Sequence, residues 1–254
     1  MIFTPALRRA LAPHATDTGY VHGPRGVANP VVALPAGVEV TLLGSGHEVH
    51  IWGLRSRVNL IGQRGKVRLE DLHGDVRLKS TSTSLMKGIT GNVWWCDYDG
   101  AGVEWNNQIA RRQVRESTVE DVRGQLRIEV GKLYLEVSDV QGTATVRNGY
   151  GATRYRIAHH QPTWKHRIEA ESGEVKLFLK DGMWHELTVT LATRWGAVDH
   201  AVLGEFSLTA GGNRPQRTIV STARQNAWAT PLTDLDADIV VVTQNGDIAL
   251  EKTT

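Results

Sequence analysis

Aromatic and acidic residues alternate closely in the stretch WWCDYDGAGVEW, which runs from Trp94 to Trp105. Indole and phenol faces stack on pyranose rings while carboxylates accept hydroxyl protons. Trp94, Tyr98 and Trp105 with Asp97, Asp99 and Glu104 are therefore the residue types of a sugar-binding surface. Two of these acids, held at a defined separation, would also make the carboxyl pair of a glycoside hydrolase. Sequence does not give that separation, and solvated turn acids account for the same residues more simply, so no catalytic residue is assigned.

Other chemistries find less support. The ten histidines include His47 and His50, His159 and His160, His166, His185 and His200. None has metal-ligand spacing, because adjacent or three-apart residues on a strand point to opposite faces, and neither a metal nor a cofactor is expected. Cys96 is the single cysteine, placed by alternation on the outer side of a strand, and it has no fixed partner that would make it a nucleophile. Neither a P-loop, nor a dinucleotide fingerprint, nor a nucleophile elbow is present. Arg111, Arg112 and Arg115 form only a small basic cluster, so nucleic acid is not an expected partner.

The 254 residues are 41% hydrophobic, enough for a real core, and the 29 basic and 27 acidic residues nearly cancel. One cysteine excludes a disulfide-built scaffold. No apolar run approaches the roughly 20 residues of a membrane span, and MIFTPALRRALAPH lacks the long apolar centre of a secretory signal. The expected location is the cytoplasm, or outside it if a signal preceded residue 1.

The elements that must position the aromatic stretch come from a repeat. LEDLHGDVRL at Leu69–Leu78 returns as VEDVRGQLRI at Val119–Ile128 and VSDVQGTATV at Val137–Val146, where Ala144 is the one small residue in a large apolar place. IWGLRSRVNL and MKGITGNVWW fall into the same register, giving starts at 51, 69, 86, 119 and 137 and intervals of 18, 17, 33 and 18. Because 33 is about twice 17, a degenerate copy is expected near 101–111. A figure returning at constant interval is the mark of a coil that stacks on itself, so the expected fold is all-β. It is a single-stranded parallel β-helix, a β-solenoid, with coils of about 17–18 residues in the first half.

The repeat assigns each position. Leu69, Val76 and Leu78 point inward and stack on Val58, Leu60, Val93 and Trp95, while Arg57, Asp75 and Asn92, then Asn59, Arg77 and Trp94, form outside columns. Gly74, Gly91, Gly124 and Gly142 sit at corners that need positive φ, and Asp71, Asp121 and Asp139 are expected to accept backbone N–H bonds in the turns rather than to bind calcium.

Residues 1–13 read as a short helix, started by Thr4 and Pro5 and stopped by Pro13, and 14–35 as a loop or arm. This gives an N-terminal helix and arm over 1–36, the helix capping the first coil, and a solenoid over 37–254. A sub-boundary falls near 158–172. Beyond it the glycine-led figures at Gly173, Gly204 and Gly246 are 31 and 42 apart, read as coils with inserted loops such as AHHQPTWKHR.

Glycine-led repeats that end in QNGDIALE, Gln244–Glu251, resemble the bacterial adhesin-type β-solenoid proteins of uncharacterised function, over roughly 37–157 and 196–252. That resemblance implies the fold, a bacterial origin and a surface or binding role, and supplies no catalytic residues. The polymer-forming bactofilins, with a more uniform repeat, are the nearest structural alternative. The functional expectation is a non-enzymatic binding, adhesin-like or scaffold protein whose partner is a glycan or another protein, monomeric or a small homo-oligomer. The alternatives are a carbohydrate-binding or carbohydrate-active protein using Trp94–Trp105, and a self-assembling scaffold.

Overall fold

The computed structural model describes residues 18–22, 31–43, 48–63, 65–80, 85–96, 115–180, 183, 187, 189–193, 195–199, 219–221 and 237–253. All regular structure among them is β. The first strands are β1 (Thr18–His22), β2 (Val31–Pro35), β3 (Val40–Leu43), β4 (Val49–Trp52), β5 (Val58–Gln63), β6 (Val67–His73) and β7 (Val76–Ser80). Then come β8 (Leu85–Thr90), β9 (Val93–Cys96), β10 (Arg115–Arg123), β11 (Leu126–Gln141), β12 (Ala144–Tyr150), β13 (Thr153–Ile157) and β14 (His166–Ser172). The last six are β15 (Val175–Lys180), β16 (Val189–Thr193), β17 (Val198–Asp199), β18 (Ile219–Ser221), β19 (Ile239–Thr243) and β20 (Ile248–Thr253).

Pairing sorts the strands into two faces. Face I runs β3, β5, β7, β9, the first part of β11, β12, β14, β19, β16, β18. Face II runs β4, β6, β8, β10, the second part of β11, β13, β15, β20, β17. Every one of these pairings is parallel, and β11 passes from one face to the other, so the whole is one strongly curled, solenoid-like sheet. Up to β15 the chain alternates between the faces, each coil adding one strand to each.

The register expected from the repeat is the register observed. Ile51 pairs with Leu69, Leu69 with Met86, Met86 with Val119 and Val119 with Val137. On face I Val58, Val76 and Val93 follow one another, as do Leu60, Leu78 and Trp95, all essentially inaccessible. Stacking like on like in a narrow interior lets each coil bury its apolar side chains on the next, which no single coil could do alone.

The repeated aspartates have a conformational role. Asp71, Asp121 and Asp139 adopt φ of 52°, 51° and 54°, and Gly53 and Gly88 take the equivalent place in their coils at 66° and 67°. A left-handed residue shifts the in-out alternation by one, so Leu69 and Leu72 both face the core across Asp71. Asp is among the few non-glycine residues that tolerate this region. Among the described residues the coils from β12 onward show no such residue: Tyr155 and Ile157 alternate normally, and the decamer stops there.

The corner glycines do a second job. Gly91 lies so close to the preceding coil that a Cβ would be 2.5 Å from the Gly74 carbonyl oxygen, and Gly74, Gly124 and Gly142 are equally confined.

Four expectations change. No coil lies between β8–β9 and β10–β11, since β8 pairs directly with β10 and β9 with β11; residues 101–111, where a degenerate copy was expected, lie outside the described residues. Residues 18–22 and 31–35 of the expected arm are strands: β1 pairs antiparallel with β2 and with β4, lying along the edge of face II. His166 and Arg167, counted with the inserted loop AHHQPTWKHR, begin β14, which pairs with β12 and β19. The last coils do not stack in sequence order, because β19 and β20 lie between β14–β15 and β16–β17. Gly246 consequently packs on Gly173, and Gly196 on Gly246. The N-terminal helix and Gly204 lie outside the described residues.

Candidate ligand-binding face

Trp94 and Trp95 separate as alternation requires: Trp95 is buried in the core and Trp94 is 39% exposed on the outer side of face I. The ladder places Trp94 between Arg77 and Arg127, with Asn59 one coil further. Parallel strands are about 4.8 Å apart, so these four outward side chains form one continuous column. Asp97, Tyr98, Asp99, Glu104 and Trp105 lie outside the described residues. The structure therefore brings Trp94 together with two arginines.

The next outward column holds Lys79, Cys96, Glu129, Arg147 and Glu169. Cys96 shares the outward register of Lys79 and Glu129, yet it is only 8% exposed. It keeps the outer register expected from alternation and is covered there. Charges along the column are matched: the Arg127 guanidinium donates to Glu129 Oε1 through Nη2 at 2.6 Å and Nε at 2.9 Å, and Arg147 Nε lies 2.6 Å from Glu169 Oε2. Arg167 Nε also donates to Glu169 Oε1. Such half-exposed pairs contribute less than about 1 kcal/mol each; their larger effect is to hold long side chains in fixed directions.

Beside this column opens a cleft of about 330 Å³, lined among others by Glu129, Arg147, Gly149, Tyr150 and Glu171. Its floor is bare because Gly149 packs on Gly131, where a Cβ would fall 2.7 Å from the carbonyl oxygen. Tyr150 stands 42% exposed at the rim. Below, the buried Asn148 amide donates through Nδ2 to Leu133 O at 2.9 Å and to Thr153 Oγ1 at 3.1 Å, and so holds the turn from face I to face II. The cleft is at the small end of ligand sites, open, and offers an aromatic ring beside carboxylates and a guanidinium.

A second polar group lies inside. Tyr155 Oη and His166 Nδ1 are 2.8 Å apart, and both residues are essentially inaccessible. His166 occupies the apolar column of Val58, Val76, Val93, Leu126 and Ala144. Burial first, and then His160, pushes its imidazole down to about 4 against the opposing Asp238 carboxylate, so it is neutral at neutral pH. Burial pushes the Tyr155 phenol upward. Both groups are closed to solvent and held uncharged at neutral pH, as interior packing groups are.

Of the other histidines, His50 pairs with Glu70, Nε2 to Oε2 at 3.0 Å, and leans on Trp52 with ring centroids 4.5 Å apart. Among the described residues no three His, Cys, Asp or Glu side chains are grouped to hold a metal ion.

Sequence reasoning missed the cleft and the Tyr155–His166 pair. The cleft forms from coils whose glycines, Gly131 and Gly149, lie outside the decamer. His166 was readable in principle, because HRIEA alternates and puts the histidine where an apolar residue belongs.

No family model matches this chain, and no match was found among curated proteins or solved structures. Its class rests on the fold alone: an all-β protein with a curled, parallel, solenoid-like sheet, assigned to no specific family.

Proposed function

We propose that this is a non-enzymatic β-solenoid binding protein, adhesin-like or scaffolding, built as a single-stranded parallel β-helix with first-half coils of 17–18 residues. Its outer face I holds an extended ligand or partner. The observation that carries this reading is the unbroken outward column Asn59, Arg77, Trp94, Arg127, on the same face as the cleft lined by Glu129, Arg147 and Tyr150. A rigid ladder presents side chains at a fixed pitch, so recognition needs little ordering of the protein itself. The protein acts as a monomer or small homo-oligomer, in the cytoplasm or exported.

The ligand class favoured is a glycan, since Trp94 and Tyr150 offer two exposed rings and the cleft adds carboxylates and a guanidinium. A protein partner on the same face, or self-assembly in the manner of a bactofilin scaffold, is the second reading. A glycan array with the full chain, Trp94→Ala and Tyr150→Ala separates them. Glycan-dependent signal lost in both variants supports the sugar reading; absence of any glycan signal from the intact chain removes it.

A further inference from the structure

Two planes at this end of the stack are crossed by no short chain connection, and of these the plane between β14–β15 and β19–β20 is bridged by the longer stretch of chain. Up to β15 each coil is tied to the next by the chain itself, which passes directly from one to the other. Across this plane the chain leaves at Lys180 and returns only at Ile239, 59 residues later, after laying down β16, β17 and β18. Among the described residues those strands give the far side no other anchor in the ladder: β16 pairs with β18 and β19, and β17 with β20.

Backbone hydrogen bonds close the plane. His166 N donates to Asp238 O at 2.8 Å, Val175 N to Asp247 O at 2.9 Å, and Gln244 N to Ala170 O at 3.0 Å. The Asp238 carboxylate adds Lys165 Nζ at 3.1 Å and His160 Nε2 at 3.9 Å.

His166 lies on this plane, stacked in the interior between Ala144 and Ile239. Its Nε2 is buried without a hydrogen-bond partner. The groups around it are the Tyr155 hydroxyl from β13, His160 and Lys165 from the segment before β14, and Asp238 before β19. A proton on His166 would place a charge among Ala144, Ile239 and Tyr155, with the Asp238 carboxylate shared with Lys165 and His160. Interior charge of that kind is relieved only by admitting water. On one side the neighbouring coil is covalently continuous; on the other it is not.

We propose that the stack parts at this plane, the unit β16–β20 undocking from β14–β15, and that acidification drives the parting by charging His166. Opening bares the parallel edges of β14 and β15 together with the inner side chains Ile168, Leu177 and Leu179. The rest of the stack keeps its order.

Hydrogen exchange of the full chain, followed by mass spectrometry at pH 7.5 and 5.0 and corrected for intrinsic rates, tests this. With the imidazole near 4 when docked and 6.5 when exposed, the opening equilibrium should rise about 30-fold between the two pH values. Protection should fall by that factor at the amides that bond across the plane, in 166–172, 175–180, 239–243 and 248–253, and stay unchanged in β5–β12 and in 189–193, which remains paired with β19. His166→Val, which restores the apolar column, should abolish the effect. If that variant does not fold, His166→Gln, which keeps a hydrogen-bonding group for Tyr155 without a titrating charge, is read in the same way. A fall spread evenly over all coils, no fall at all, or the same fall in the uncharged variant would overturn the proposal.

Discussion

Gly246 lies directly against Gly173 although 73 residues separate them in the chain, and a Cβ on Gly246 would run into the Gly173 carbonyl oxygen. Gly173 packs in turn on Gly151. A column of glycines at one corner is how consecutive coils approach to backbone contact.

This column sets a prediction about stability. Gly173→Ala should cost more than about 2 kcal/mol, since it adds a clash with backbone to a strained φ of 128°. Gly62→Ala should cost only about 1 kcal/mol, because its φ is 73° but nothing lies within 4 Å of a Cβ there. Urea denaturation of both variants gives the comparison.

The left-handed column behaves differently. Asp121→Gly should be nearly neutral, because Gly88 already holds that place in the adjacent coil. Asp121→Val should lose about 2 kcal/mol, a β-branched residue being forced to positive φ. Equal losses in the two variants would show that the aspartate side chain, not its backbone, matters.

Adjacent tryptophans should diverge. Trp95→Ala should destabilise by about 4 kcal/mol through the cavity it leaves under Leu78 and Ile128. Trp94→Ala should cost less than about 1 kcal/mol, so any loss of ligand binding in that variant is not a loss of fold.

Stability should also fall with acid through His166. Its folded value is depressed to about 4 from 6.5, so above pH 6.5 neither state carries the proton and nothing changes. As pH drops from 6.5 to 4 the unfolded chain takes up a proton that the folded one does not. The loss approaches about 3 kcal/mol near pH 4. The difference between wild type and His166→Gln in denaturant unfolding at pH 7.5 and 4.5 isolates this contribution from the carboxylates.

The first half of the fold was legible because each coil repeats the same decamer: Ile51, Leu69, Met86, Val119 and Val137 could be aligned by eye and are the residues that pair. The role of Asp71 was not, because an aspartate in a turn fits side-chain capping and a left-handed φ equally well. The second half was hidden for a different reason. Glycine spacing reports the order of coils along the chain, and Gly246 reaches Gly173 out of order. The candidate face was half legible: alternation put Trp94 outside, but the cleft at Tyr150 depends on three coils meeting at a corner where no motif repeats.

The order of the last coils is the central claim, and engineered cross-links test it most directly. Lys176 pairs with Ala249, and Ala249 with Asp199. Neighbouring parallel strands bring Cα atoms to about 4.8 Å, within disulfide reach, whereas residues two strands apart are about 10 Å away and beyond it. In a Cys96→Ser background, Lys176→Cys with Ala249→Cys should form an intrachain disulfide in the folded protein, and Lys176→Cys with Asp199→Cys should not. The opposite result, a bond between 176 and 199 and none between 176 and 249, would mean that the coils stack in sequence order and would contradict the account.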